Sequence, residues 1–183
     1  EYYAWRNADV VLPVTHVLAE FIKLAGVPDT RISVIPNGVD TSRFNPALFT
    51  ERLPELKGKC VIGFVGFCRE WHHLDKVMSS LSSLKRDDII FLLVGDGPVL
   101  SDLKELAKEL KFDKQFISTG LVSRKEMPYW ISQIDIALQP AVTPWASPLK
   151  LLEYLAMGKA VLADDSANIK ELLTDDYNAV LFE

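Results

Sequence analysis

Short apolar runs alternate with helical patterns along the chain, and that alternation limits the fold more than any other feature. The main series of apolar runs is Val61 to Val65, Ile89 to Val94, Phe116-Ile117, Ile134 to Leu138, Ala160 to Ala163 and Ala179 to Phe182. Helical patterns lie between them over Leu74–Leu84, Val99–Leu110, Lys125–Ser132, Ser147–Met157 and Asn168–Leu173. Apolar runs without polar alternation suit strands buried on both faces. Helices of roughly ten residues between such strands imply crossovers in a parallel sheet. The expected fold class is therefore α/β, a Rossmann-like parallel sheet with helices on both faces. A shorter series precedes it: a strand over Val10–Val14, a helix over Thr15–Ala25 and a strand over Ile32–Ile35. The turn-rich stretch from Pro36 to Asp40, continuing to about Pro54, marks a domain boundary. Residues 1–40 read as the end of one domain with its linker, and residues 55–183 as a second domain.

Composition narrows the functional classes. The 183 residues are 49% hydrophobic, enough for one substantial core. The net charge of −5 and the interleaving of Lys104, Lys108 and Lys111 with Glu105 and Glu109 describe a solvated helix face, not a nucleic-acid surface. Cys60 and Cys68 flank the first strand of the main series and read as thiols in a reducing compartment. No apolar run approaches the ~20 residues of a membrane span. The opening Glu1-Tyr-Tyr-Ala-Trp-Arg6 lacks an initiator Met and a signal-peptide pattern, and the last residues are an apolar run. The expectation is a cytoplasmic piece of a longer protein.

The segment Ala146–Ala163 carries the strongest local signal. Ser147 is suited to cap a helix, Pro148 to its first position, and Gly158 to the left-handed residue that ends it. A helix start with free N–H groups and a positive dipole end favours an anion. Lys150 falls in the first turn, where the dipole opposes a cation, a placement that makes sense beside a bound anion. Glu153 lies further along the same helix, within reach of whatever lies beyond the phosphates.

Other candidates follow strand ends: Gly66 to His72, Gly95 to Gly97, Gly120 to Val122 and Gln139 to Leu149. In a sheet of this kind such ends share one crevice. Arg69 has the forked geometry to pair with a phosphate. His72 and Lys76 share a face if one helix includes both. His72 and His73 are adjacent, so they cannot serve one metal from a helix, and no zinc site is expected. The sequence Gly63-Phe-Val-Gly66 is not a dinucleotide fingerprint, and no Walker A sequence occurs. Asp96 reads as a turn residue. Trp145 either packs its loop or stacks on a base or sugar.

These segments occur in a fixed order: ADVVLPVT, VIPNGVD, GFVGFCREWHHLD, FLLVGDGP, STGLVSRKEMPYW, DIALQP and ASPLKLLEYLAMGKAVLA. The combination resembles the family 4 retaining glycosyltransferases of GT-B architecture, over nearly the whole chain. The resemblance implies two Rossmann-like domains, with residues 1 to about 35 ending the first and residues from about 55 forming the donor-binding second. It implies that the backbone of Ser147, Pro148 and Leu149 holds a diphosphate, with Lys150 adding charge. Glu153 matches the second glutamate of the family's E-x7-E motif and would bind the ribose hydroxyls. Val122 would meet the nucleobase through its backbone, beside Gly66. Arg69 and His72 fall at the family's catalytic basic pair.

The chain departs from that pattern where Trp145 stands at the first glutamate and where His73 replaces a glycine. The implied reaction is transfer of a sugar from a nucleoside diphosphate donor, with retention and without a metal or other cofactor. The acceptor, a carbohydrate or lipid-linked molecule, would be held by the rest of the first domain, which is absent here. Peripheral membrane association of the longer protein is compatible with this. Trp145 favours an alternative, a non-catalytic nucleotide-binding or interaction module. A sugar-nucleotide epimerase is a further alternative, against which VIPNGVD and SPLK argue.

Overall fold

A computed structural model describes all 183 residues. Two helices come first, α1 (Tyr2–Asn7) and α2 (His16–Leu24). The main unit then runs β1 (Cys60–Val65), α3 (Leu74–Ser83), β2 (Ile89–Val94), α4 (Leu100–Glu109), β3 (Phe116–Ser118) and α5 (Met127–Ser132). It continues with β4 (Ile136–Gln139), α6 (Leu149–Ala156), β5 (Ala160–Asp164) and β6 (Val180–Phe182). The six strands form one sheet in the order β3-β2-β1-β4-β5-β6, and every neighbouring pair is parallel. This is the expected α/β sheet, with the strand order of a doubly wound Rossmann-type fold.

The strand order reverses between β1 and β4. β1 pairs with β2 along its whole length, from Cys60 opposite Ile89 to Val65 opposite Val94. With β4 it pairs only at Ile62–Ile136 and Gly63–Ala137. Beyond Gly63 the two strands part, which opens a crevice at their carboxyl ends. A ligand in a sheet of this class sits at such a reversal.

Alternating β1 residues feed two cores. Phe64 packs with Phe91, Leu93, Met78 and Leu103 on the α3–α4 face. Val65 packs with Leu92, Val94, Leu151 and Tyr154 on the α6 face. No helix is long and apolar enough to cross a membrane.

Several expected elements differ. Val10–Val14 and Ile32–Ile35 are not strands but meet in a single parallel bridge, Val11 with Ile32. Pro13 contributes a carbonyl to Ile35 but has no N–H to continue a ladder. Asn168–Leu173 forms turns, not a helix. The Asn168 side chain there donates to Thr143 and Ala146 carbonyls, and Glu171 reaches away to α2. α5 starts at Met127 rather than Lys125, behind a turn in which Ser123 and Glu126 bond to each other. β4 begins at Ile136, because the Ile134 N–H is turned back to the Ile131 carbonyl.

Candidate functional site

Helix α6 is seated on the end of β1 by one buried bond. The Val65 N–H donates to the hydroxyl of fully buried Tyr154 at 2.9 Å. Burial also pushes the Tyr154 hydroxyl pKa upward. This seat fixes where the first turn of α6 opens. That turn starts one residue later than the sequence suggests: Pro148 is the N-cap, with φ −67° and ψ 111°, and Leu149 is the first helical residue. Ser147 gives no side-chain cap. Pro148 is itself extended, so the helix begins one residue beyond it and Ser147 falls outside the capping position. Its carbonyl instead accepts from the Asn37 amide at 3.0 Å. Gly158, at φ +63°, ends the helix in the left-handed conformation as expected.

Lys150 reaches from the first turn of α6 back over β1. Its Nζ lies 3.9 Å from the centroid of the Phe64 ring. A Cβ built on Gly66, whose φ is +132°, would stand 3.2 Å from the same nitrogen. No carboxylate pairs with it within 4.0 Å. Burial pushes its pKa down to about 7, against a weaker upward pull from Glu153. Glu153, one turn on, is half-buried, and its pKa is raised by burial. The positive charges of Arg124, Arg43 and Lys150 oppose that rise. Arg43 donates to the Arg124 carbonyl at 2.6 Å, so linker and β3–α5 loop meet beside Glu153.

Gly66 and Val122 line one small cavity of about 190 Å³, together with Gly95, Asp96, Leu121 and Met127 among others. Backbone meets backbone beside it. A Cβ on Gly95 would fall 2.1 Å from the Gly66 carbonyl oxygen, and one on Gly97 2.1 Å from that of Cys68. Both glycines also have positive φ. The Asp96 carboxylate accepts the Gly97 N–H at 2.8 Å, the local turn bond expected of it.

Arg69 and His72 do not form a cationic pair. Arg69 is exposed, with its guanidinium carbon 4.9 Å from the Phe67 ring centroid and 5.2 Å from that of Trp71. It lines a groove with Leu74, Asp75 and Asp102 at the starts of α3 and α4, separate from the Gly66–Val122 cavity. His72 packs on Phe64 at 4.8 Å, and its Nδ1 accepts the Arg69 N–H at 3.1 Å. Burial first, and then Lys150, push its pKa down to about 4. At neutral pH it is therefore an uncharged hydrogen-bonding group. Nor does it share a helix with Lys76, since His73 at φ +51° intervenes before α3.

Trp145 is half exposed, and its ring meets Phe21 of α2 edge-on, with centroids 6.2 Å apart. Glu171 accepts the N–H groups of His16 and Val17, each at 2.8 Å, at the start of α2. The first forty residues are thus tied to the loops around α6 at Asn37, Phe21 and α2. Of the residues the sequence reading did not single out, Asn37 stands in the Pro-Asn-Gly turn, and that turn was its one visible signal. Arg43, Arg124 and Glu171 lie in ordinary polar stretches, and only the fold brings them to the site.

Comparison with known proteins agrees with this geometry. Residues 49–183 match the family described as Glycosyl transferases group 1, and residues 1–43 match Glycosyltransferase Family 4. A 2-deoxystreptamine glucosyltransferase of Streptomyces kanamyceticus is 31% identical over 152 residues, 78% of this chain and 39% of that protein. An alpha-monoglucosyldiacylglycerol synthase of Streptococcus pneumoniae is 29% identical over 159 residues, 81% of this chain and 36% of that protein. The chain thus spans less than half the length of these curated relatives. The crystal structure of Anabaena HepE in complex with UDP and glucose superposes with a TM-score of 0.84. It is 18% identical, and the match covers 97% of this chain and 50% of that one, a likeness of fold. A sheet that reverses between β1 and β4, with α6 opening over the reversal, and a family match across most of its length have one conclusion: the chain belongs to the glycosyl transferases group 1.

Proposed function

We propose that this chain is the donor-binding part of a retaining glycosyltransferase. It would hold a nucleoside diphosphate sugar in the crevice between β1 and β4. The observation that carries the reading is Lys150, an amine without an anionic partner at the start of α6, poised over Phe64 and Gly66. A diphosphate on the Leu149 and Lys150 N–H groups would meet both the helix dipole and that amine. Glu153 would take the ribose hydroxyls, and the Gly66–Val122 cavity the base. Bound UDP in HepE and the glucosyltransferase names of the relatives support the ligand class.

The hard step is departure of the nucleoside diphosphate. Backbone N–H groups and Lys150 would stabilise the charge that develops on it, so that no divalent metal is required. Arg69 would have to swing from its stack on Phe67 and Trp71 to join them. The acceptor, carbohydrate or lipid-linked, would be held by the remainder of the longer protein, on the cytoplasmic side. Trp145 supports a second reading, a non-catalytic module. Its ring packs on Phe21 where the family pattern has a carboxylate.

The test is to incubate the full-length protein with a panel of nucleotide sugars and follow donor consumption and product anomeric configuration by NMR. Transfer with retention, lost in Glu153→Ala, is expected. A folded protein that binds nucleotides but transfers from no donor would favour the module.

A further inference from the structure

Lys150 and His72 crowd the same aromatic ring. Nζ of Lys150 lies 3.9 Å from the Phe64 centroid, and the imidazole centroid 4.8 Å from it. His72 has its Nδ1 occupied by the Arg69 N–H. The groups that face the amine are few. Glu153 comes from its own helix and forms no ion pair with it. From the loop after β1 comes His72, which itself has Arg69 and His73 beside it. A cation here is opposed by the positive end of α6 and by burial, and favoured by the Phe64 ring face and more weakly by Glu153. An anion on the same helix start tips that balance, because a close opposite charge favours the ammonium form.

Given the donor reading above, we infer that the nucleoside diphosphate binds together with a proton, which Lys150 takes up from solvent as the anion arrives. One N–H bond forms on Nζ, solvent or buffer supplies the proton, and no other bond changes. Lys150 then touches the departing diphosphate as a full ammonium. It is the group whose charge follows that of the ligand. An amine whose pKa lies near 7 is largely free above pH 8, which makes the uptake measurable there.

Calorimetric titration of this chain with UDP and with GDP at pH 8.5, in buffers of different ionisation heat, reads the proton directly. Uptake of about one proton per nucleotide is expected, with affinity falling about tenfold per pH unit between 8 and 9. The phosphate itself is fully ionised in that range, its second pKa being about 6. Lys150→Arg carries a fixed charge and should bind with a flat pH profile and no buffer dependence. Nucleotide binding by the unaltered chain with the same heat in every buffer, and equal affinity at pH 8 and 9, would overturn the inference while leaving the donor reading intact. No binding of either nucleotide at any pH would remove both.

Discussion

The Tyr154 hydroxyl accepts the Val65 N–H at 2.9 Å, in the place where a β4 carbonyl would sit had the two strands stayed paired. The separation of β1 and β4 that makes the crevice leaves a buried backbone donor unpaired, and a side chain from α6 satisfies it. The helix that closes the site therefore stands on the same bond that keeps the site open. Tyr154→Phe keeps the ring and strands the Val65 N–H. A loss of about 1–3 kcal/mol is expected in urea unfolding, the cost of an unsatisfied buried donor. An unchanged midpoint would mean that another group, such as water, serves Val65.

His72 should make stability depend on acid pH. Its pKa is about 4 in the fold against an ordinary 6.5, so the unfolded chain takes up the proton first. The contribution is present above pH 6.5 and is lost as the pH falls toward 4. Its size is up to about 3 kcal/mol before screening by the solvent that reaches the ring. His72→Gln should flatten this part of the stability profile relative to the unaltered chain, a difference that cancels the carboxylates common to both. Parallel profiles would remove His72 as the cause.

Glu171 should govern the start of α2. Its two oxygens hold the His16 and Val17 N–H groups, while Thr15 serves only Leu18. Glu171→Ala should cost about 1 kcal/mol locally and speed amide exchange at residues 16 and 17 about fivefold or more, with β2 amides unchanged. Unaltered exchange at those two amides would show that the contact does not persist in solution.

The metal-free reading of the transfer step has a simple check. EDTA should leave the rate of the full-length enzyme within about twofold, because the helix start and Lys150 are proposed to carry the charge. Loss of activity that manganese or magnesium restores would assign that work to a cation instead.

The sheet was legible because its strands are continuous apolar runs, as in Ile89–Val94, which is buried along its whole length. Positions set by backbone chemistry also read well, as Gly158 does at the end of α6. What failed had a tertiary cause. Ser147 looks like a cap, but Pro148 is itself extended and takes that position, and Asn168–Leu173 looks helical until its side chains are drawn to other loops. Charge state was the least legible property. His72 reads as a base, yet its burial against Phe64 beside Lys150 makes it neutral. No spacing rule announces that Arg43 and Arg124, eighty-one residues apart, meet beside Glu153.

The interlocked glycines at the ends of β1 and β2 bear on how such a site can change. A Cβ on Gly95 or Gly97 would collide with the carbonyls of Gly66 and Cys68, so these strand ends beside the cavity offer no side chain to vary. Diversity of ligand must be written on the side chains that line the rest of it, Phe67, Asp96, Leu121, Val122 and Met127, while the two strand ends work as a fixed gauge of depth. A library confined to those side chains would explore new ligands while leaving the glycines that join the two strand ends untouched.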